Sequence, residues 1–218
     1  ADEAGRRFRL PKGRTDYRFG GPLGLERVCR EVCTERNLLN AGGTFYELPA
    51  ENAGGMAKVR PIATHNHRIK DYASYRGLLV MSGIATDAPR DNPHIIRSND
   101  GKCALWLGAV DDLWQFGKPR GVGGPWNQTI VKVGTPSDPY LMTGYDHKRL
   151  RMSHNSAAPV SFRVEVDLSG TGQWVTYREF IAESGKPLEH RFADAFAAYW
   201  VRISANQNTS ATATFSYE

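Results

Sequence analysis

Long hydrophobic runs are absent from this 218-residue sequence. No apolar stretch approaches the roughly 20 residues that a helix needs to cross a bilayer, so we expect no membrane span. Residues 1–7 also lack the apolar centre of a signal peptide, so we expect such a peptide to have been removed already or never to have been present.

Cysteine is scarce, with three residues in the whole chain. Cys29 and Cys33 are one helical turn apart if they lie on a helix, and that spacing does not suit a disulfide. No histidine lies near enough in the sequence to complete a zinc site with them. We interpret Cys29, Cys33 and Cys103 as buried or incidental thiols, and the redox compartment stays open.

Runs of lysine or arginine are also missing, although the formal net charge is +5. The basic excess lies in the middle of the chain, where residues 58–159 carry 14 basic and 8 acidic side chains. No nucleic-acid-binding motif accompanies this charge. An anionic small molecule or an acidic polysaccharide is therefore the favoured partner, and nucleic acid is not.

Glutamate is absent between Glu51 and Glu165. A glycosidase that worked in this region would have to use aspartate for both of its carboxylates. A polysaccharide lyase instead needs a cation to neutralise a uronate and a His, Tyr or Lys to accept a proton, and the region is rich in such side chains. Phosphate-binding loops, dinucleotide fingerprints, G-x-S-x-G elbows and H-E-x-x-H motifs are absent.

Turn-forming residues are plentiful, with 22 glycines and 12 prolines. Short apolar or alternating segments recur about every ten residues between turn signals, which predicts an antiparallel all-β domain over residues 43–218, either a propeller or a sandwich. The glycine-bounded run at 77–83 is typical of a buried strand. The predicted strands are 44–48, 59–64, 77–83, 104–108, 160–167, 174–180, 199–204 and 211–217.

The first 42 residues form a separate region in this prediction. Residues 1–24 are basic and glycine-rich without periodicity, which indicates an extended arm or loop. Residues 25–40 place Val28 and Val32 at helical spacing, which predicts one short helix. We therefore expect an arm over residues 1–42, with a possible short helix, and a β-domain over residues 43–218.

Several segments have a sequence pattern similar to that of one protein family. They are ASYRGLLVMSG (73–83), DGKCALWLGAVDDLWQFGKPRGVGGPW (100–126), PSDPYLMTGYDHKRLRMSHNS (136–156) and AYWVRISANQNTSATATF (198–215). These segments resemble the C-terminal part of bacterial β-propeller proteins of the sialidase/BNR-like kind, which occur among glycan-degrading enzymes. The resemblance covers residues 43–218. It implies antiparallel β-propeller blades, as a complete small propeller or as part of a larger one.

The aspartate box of that family is approximated by Ser98, Asp100, Gly101 and Trp106, with the tryptophan one position late. In the family this box is a structural turn of a blade. Since one blade takes roughly 40–50 residues, residues 43–218 supply three or four blades. A second polypeptide that completes the propeller is therefore one predicted partner.

The first candidate site combines His65 and His67, which face the same side if they lie on a strand. Such a pair can hold a metal with a third ligand, or supply a general acid or base. Tyr75 is a further catalytic candidate, and Arg68 and Arg76 are candidate substrate-binding residues. A polar loop with solvated histidines explains the same residues equally well.

The second candidate site follows a predicted strand and is too rich in glycine and proline to be regular. Paired aspartates can do acid–base work, tryptophan faces can stack on sugar rings, and cations can bind carboxylates or sulfates. The alternative is that the aspartates cap a turn and the tryptophans hold the loop to the core. The residues are Asp111 and Asp112 as catalytic candidates, and Trp114, Lys118, Arg120 and Trp126 as substrate-binding candidates.

Two further substrate-binding candidates are Tyr145 and His147, which could face a pocket. Lys148 and Arg149 are interpreted instead as part of a strand and its turn. No cofactor is indicated by the sequence, and a divalent metal such as calcium stays open.

Together these features predict a carbohydrate-active protein, secreted or periplasmic, that acts on a polysaccharide or glycan with acidic groups. An enzyme that works by hydrolysis or by lyase-type elimination is the favoured form. The alternatives are a glycan-binding module without catalysis and a structural part of a larger propeller assembly.

Overall fold

The structure is a computed structural model, and it describes residues 2, 4–13, 27–33, 36–65 and 67–218. The described residues form sixteen β-strands and three short 3₁₀ helices. The strands build four four-stranded sheets in which the pairings are antiparallel. The prediction of an antiparallel all-β protein is confirmed.

The strands in chain order are β1 Val28–Val32, β2 Arg36–Ala41, β3 Thr44–Leu48, β4 Arg60–Thr64, β5 Tyr72–Tyr75, β6 Leu78–Met81, β7 Ile95–Arg97, β8 Ala104–Gly108, β9 Gly121–Val131, β10 Tyr140–Leu141, β11 Lys148–His154, β12 Val160–Asp167, β13 Trp174–Ala182, β14 Leu188–Arg191, β15 Trp200–Ala205 and β16 Thr209–Tyr217. The 3₁₀ helices are Glu51–Ala53, Gly55–Lys58 and Val110–Phe116.

The chain folds into two compact units that differ from the predicted domains. We call residues 12–55 and 59–119 the N-terminal unit, and residues 1–11, 56–58 and 120–218 the C-terminal unit. The predicted boundary after residue 42 instead falls inside the β2–β3 hairpin. Gly42 and Gly43 form its turn with φ of 61° and 81°, a conformation that glycine adopts without strain.

The N-terminal unit contains two sheets, with strand orders β1-β2-β3-β4 and β5-β6-β8-β7. The helix predicted over residues 25–40 is wrong wherever that segment is described, because β1 and β2 pair there as antiparallel strands. Val28 and Val32 fit a strand as well as a helix, since positions four apart share a face in both. The predicted arm at residues 14–24 lies outside the described residues.

The strands that the sequence predicts in the N-terminal unit contribute buried apolar side chains to its core. Phe45, Leu79 and Trp106 are buried at 2% exposure or less, and they belong to one continuous apolar cluster. β3 and β8 have the predicted bounds. The predicted buried strand at 77–83 is partly wrong, because β6 buries Leu79 but leaves Leu78 40% exposed.

The segment that approximates an aspartate box contains the turn that connects β7 and β8. The Ser98 hydroxyl donates to Asp100 Oδ1 at 2.6 Å, and the Cys103 amide donates to Ser98 Oγ at 3.1 Å. The segment that resembles an aspartate box is therefore a self-contained hairpin turn.

The C-terminal unit contains the other two sheets, with strand orders β10-β15-β12-β13 and β14-β11-β16-β9. β12 and β16 alternate between buried and more exposed residues, as expected for sheets with one buried face. Phe162 from the first sheet and Phe215 from the second are both fully buried. Each sheet therefore has one apolar face that packs into the core.

The strand order of the C-terminal unit overturns the resemblance to sialidase/BNR-like propellers. Each blade of a propeller is a four-stranded sheet whose strands come from one continuous stretch of the sequence. Here β9 pairs with β16, and β12 pairs with β15, so each sheet joins strands that lie far apart in the chain. The resemblance is wrong. The prediction that a second polypeptide completes a propeller is therefore no longer supported.

Residues 111–126 are more regular than predicted. Val110–Phe116 is a 3₁₀ helix, and β9 runs from Gly121 to Val131 despite its glycines and proline. A Cβ on Gly124 would lie 1.8 Å from the Ala213 carbonyl oxygen, so only glycine lets β9 approach β16 this closely. The glycine content therefore reflects close strand packing and not a loop.

Candidate functional site

The two histidines of the first predicted site occupy different environments. β4 ends at Thr64, so the pair does not lie on one strand. His65 is 3% exposed, and its Nε2 lies 2.9 Å from Asn40 Oδ1. His67 is half-buried, with its ring centroid 5.9 Å from that of Phe116. His65 is therefore a core histidine, and the shared-face geometry that a metal pair requires is not formed.

Burial lowers the pKa of His67 below its ordinary value of 6.5. It also lowers the pKa of His190, to which the nearby Arg178 adds a smaller effect in the same direction. A histidine that resists protonation when folded stabilises the protein above about pH 6.5, and this stabilisation is lost as the pH falls.

We therefore expect the free energy of unfolding to decrease as the pH is lowered from 7 to 5. The unfolded chain binds protons at His67 and His190 in this range more readily than the folded chain does. Urea unfolding at several pH values measures the slope, which we expect His67→Gln and His190→Gln each to reduce. A stability that is flat over this range, or a slope unchanged in both variants, contradicts the expectation.

The tyrosine and arginines of the same cluster lie at the surface. Tyr75 is 60% exposed at the end of β5, and the Arg76 guanidinium lies 5.5 Å from the centroid of its ring. Arg76 occupies the β5–β6 turn with φ of 49°. Arg68 is exposed. These exposed groups and the buried His65 do not share one environment.

The predicted aspartate pair lies on the 3₁₀ helix Val110–Phe116. Asp112, the third residue of this helix, accepts a hydrogen bond at Oδ2 from the amide of the N-cap residue Ala109 at 2.7 Å, as the acidic residue of a capping box does. Asp111 is exposed. Trp114 is 58% exposed, as a sugar-stacking residue requires, and Lys118 is exposed shortly after the helix.

The remaining predicted residues belong to the C-terminal unit. Trp126 is 6% exposed and packs 6.2 Å from Phe162, so its predicted role as an exposed stacking face is wrong. Tyr145 is 4% exposed, and its ring stacks on Tyr217 at 4.5 Å. His147 and Arg120 are exposed. The predicted site residues are thus divided between two units.

A polar surface that the sequence reasoning missed lies on the outer side of the sheet β14-β11-β16-β9. β11 and β16 pair along seven residues, and their inward side chains form the core. The outward side chains on these strands are arginines on β11 and β14, one glutamate on β14, and hydroxyls on β11 and β16. We call this set the arginine–hydroxyl face: Arg149, Arg151, Ser153, Glu189, Arg191, Thr212, Thr214 and Ser216.

A groove runs over part of this face. It has a volume of about 380 Å³, is open to solvent, and is lined by Gly185 and Pro187 from the β13–β14 connection. Its floor consists of two cross-strand pairs on β11 and β16, Arg151 with Thr214 and Ser153 with Thr212. His154, at the end of β11, also lines the groove.

His154 is fixed at the edge of the groove. Its Nε2 lies 3.0 Å from the Ala182 carbonyl oxygen, and its Nδ1 lies 3.2 Å from the Ser156 amide nitrogen. In this arrangement Nδ1 accepts from the Ser156 amide and Nε2 donates to the Ala182 carbonyl oxygen. Both ring nitrogens are used by the fold, so His154 shapes the groove.

The arginines on this face are only partly balanced by carboxylates. Arg191 Nη2 donates to Asp194 Oδ1 and Oδ2 at 2.9 and 3.2 Å. Arg151 Nε lies 3.7 Å from Glu189 Oε1, with both side chains exposed. Arg149 forms no ion pair with any residue that the structure describes. The face therefore retains a positive charge.

The outer face of the opposite sheet is balanced by contrast. Arg163 Nε lies 2.8 Å from Glu179 Oε1. Arg202 donates to both oxygens of Glu165 at 2.8 and 3.2 Å, and its guanidinium lies 4.4 Å from the centroid of Trp174. An exposed and paired arginine such as Arg163 provides a matched control for the arginine–hydroxyl face.

The described ranges also bear on metal binding and on membrane insertion. No three or more His, Cys, Asp or Glu side chains within them lie close enough together to hold a metal ion. Within the same ranges, no helix is both long enough and apolar enough to cross a bilayer.

Comparison with known proteins gives no family for this chain. No family model matches it, and no curated protein matches it. Among solved structures, a crystal structure of PirA matches with 15% sequence identity and a TM-score of 0.26, over 45% of this chain and 84% of that chain.

Proposed function

We propose that this protein is a glycan-binding module that recognises an acidic polysaccharide through the arginine–hydroxyl face. The observation that carries the proposal is the groove in which Arg151 lies beside Ser153, Thr212 and Thr214. Hydroxyls donate and accept hydrogen bonds, as sugar hydroxyls require, and guanidinium groups bind carboxylates and sulfates.

The sheet gives these side chains fixed spacings. Neighbours on one face repeat every second residue, about 7 Å along a strand, and adjacent strands lie about 4.8 Å apart. Met152 and Ala213 between them are buried in the core, so the strands that carry the groove are anchored. A rigid, polar and extended surface suits a polymer better than a small ligand.

Binding without turnover fits the arrangement better than the predicted enzyme. The catalytic candidates His65, His67, Tyr75, Asp111 and Asp112 lie in the N-terminal unit, outside this face. The one carboxylate on the face itself belongs to Glu189, which lies near Arg151. Hydrolysis or elimination stays a prediction, and we propose a secreted or periplasmic location because acidic polysaccharides are encountered there.

Affinity electrophoresis through gels that contain polygalacturonate, a sulfated polysaccharide or a neutral glucan tests this proposal. We expect retardation by at least one acidic polymer and none by the neutral glucan. Arg151→Ala should weaken the interaction by about tenfold, the effect of one charge-assisted contact. Arg163→Ala changes the net charge equally on the opposite sheet and should leave the retardation unchanged.

Three results would count against the proposal. Absence of retardation by every acidic polymer removes the binding function. Equal effects of Arg151→Ala and Arg163→Ala indicate attraction by net charge alone. Release of new reducing ends or of unsaturated uronates by the purified chain restores the enzyme prediction.

A further inference from the structure

Two arginines lie directly opposite each other on the arginine–hydroxyl face. Arg149 of β11 is the register partner of Arg191 of β14. Side chains at such positions have Cβ atoms about 5 Å apart, and like charges placed there destabilise a sheet. On the other side of Arg149, the register partner is Ser216 of β16.

The fold compensates only one of these two charges. Asp194 accepts two hydrogen bonds from Arg191, and Asp194 Oδ1 also lies 3.2 Å from His147 Nδ1. These contacts, with that from Arg191 the larger, lower the pKa of the Asp194 carboxyl and keep it ionised. Arg149 has no ion pair among the described residues, and Lys148 beside it points into the core.

We propose that Arg149 and Arg191 form a clamp for a tetrahedral oxyanion, the group found in sulfate esters and phosphate esters. This inference rests on the proposed glycan-binding function and names the acidic group that the site prefers. Asp194 shows that one planar carboxylate uses both oxygens on a single guanidinium. A sulfate or phosphate ester offers three terminal oxygens, enough for both guanidinium groups and the Ser216 hydroxyl.

Asp194 then acts as an internal competitor for the ligand. Its carboxylate occupies Arg191, and its negative charge repels an incoming anion. Binding of an oxyanion replaces the contact between Asp194 and Arg191 with contacts to both arginines. Removal of the Asp194 charge should therefore tighten binding, whereas removal of the Arg149 charge should weaken it.

Dextran provides a matched test, because one neutral backbone is available with sulfate, phosphate or carboxymethyl groups. Titration calorimetry of the full chain with each polymer, at equal charge density, measures the preference. We expect the sulfated or phosphorylated dextran to bind about tenfold more tightly than carboxymethyl dextran, as one added charge-assisted contact gives. The tighter of the two esters identifies the source of the oxyanion.

Three variants complete the test. Arg149→Gln should reduce the preference for the tetrahedral group to near unity, Asp194→Asn should tighten binding of the preferred polymer, and Arg163→Gln should change neither. Equal melting temperatures show that the exposed substitutions leave the fold intact. Equal affinities for the three charged dextrans, or a preference that survives Arg149→Gln, would overturn the clamp.

The clamp and the proposed function fail in different ways. Charged dextrans that bind through Arg151 without preference for sulfate or phosphate eliminate the clamp and leave the glycan-binding proposal in place. Charged dextrans that bind no better than neutral dextran eliminate both.

Discussion

Replacement of Trp200 by alanine should lower the free energy of unfolding by about 3–5 kcal/mol, the usual cost of deleting a buried tryptophan. Trp200 is 1% exposed on β15, where it packs 4.8 Å from Phe8. Its Nε1 donates to the Ala57 carbonyl oxygen at 2.8 Å. Trp200 thus contacts two segments of the C-terminal unit, residues 1–11 and 56–58, that lie far from it in the sequence.

Trp200→Phe separates the hydrogen bond from the packing. It keeps an aromatic ring but leaves the Ala57 carbonyl oxygen without its donor, which should cost about 1–3 kcal/mol. Trp174→Ala on the same sheet is the control, because Trp174 is only half-buried. Differential scanning calorimetry should rank the losses as Trp200→Ala, then Trp200→Phe. A loss from Trp200→Ala no larger than that from Trp174→Ala contradicts this account of the packing.

Replacement of Trp126 by alanine should destabilise the protein by a similar amount, about 3–5 kcal/mol. Trp126 on β9 packs inward against Phe162, across from Ala213 of β16. Trp114→Ala should change the stability by about 0.5 kcal/mol or less, because a side chain that is 58% exposed loses little packing.

Chemical denaturation of the two tryptophan variants distinguishes a core residue from a ligand-stacking residue. If Trp126 were a stacking residue, Trp126→Ala would retain its stability and lose affinity for glycans. The structure predicts the reverse, with a large loss of stability from Trp126→Ala. A midpoint for Trp126→Ala equal to that for Trp114→Ala would contradict the buried position.

The sequence predicts strands best where the apolar pattern and the turn signals agree. β3, β8 and β12 have the bounds that their patterns indicate. The pattern of residues 25–40 predicts a helix where β1 and β2 form, because residues four positions apart share a face in a helix and in a strand. The glycines of β9 predict a loop, but in the fold they allow close packing against β16, which lies more than 80 residues further along the chain.

The candidate site was harder to predict than the strands. The sequence shows that cations alternate with apolar residues on β11 and that hydroxyls alternate with apolar residues on β16. Each alternation predicts a strand with one polar face. Their combination depends on the pairing of Arg151 with Thr214, two residues separated by about sixty positions. One sequence contains no signal for that register, so the arginine–hydroxyl face became apparent only in the fold.

The propeller resemblance failed for a related physical reason. Short strands bounded by glycines occur in many antiparallel architectures. Such a sequence pattern therefore indicates a fold class but not a topology. The C-terminal sheets are defined by which strands pair, and distant pairings such as β9 with β16 leave no local trace.

Backbone amide NMR of the isotope-labelled chain, titrated with a sulfated oligosaccharide, tests the location of the binding site most directly. The proposed function predicts that chemical-shift changes concentrate on β11, β16 and residues 183–187, which surround the groove. Arg151→Ala should reduce these changes, and Arg163→Ala should not. Shift changes centred on Trp114 and its neighbours in the N-terminal unit, or no changes at saturating ligand, would contradict it.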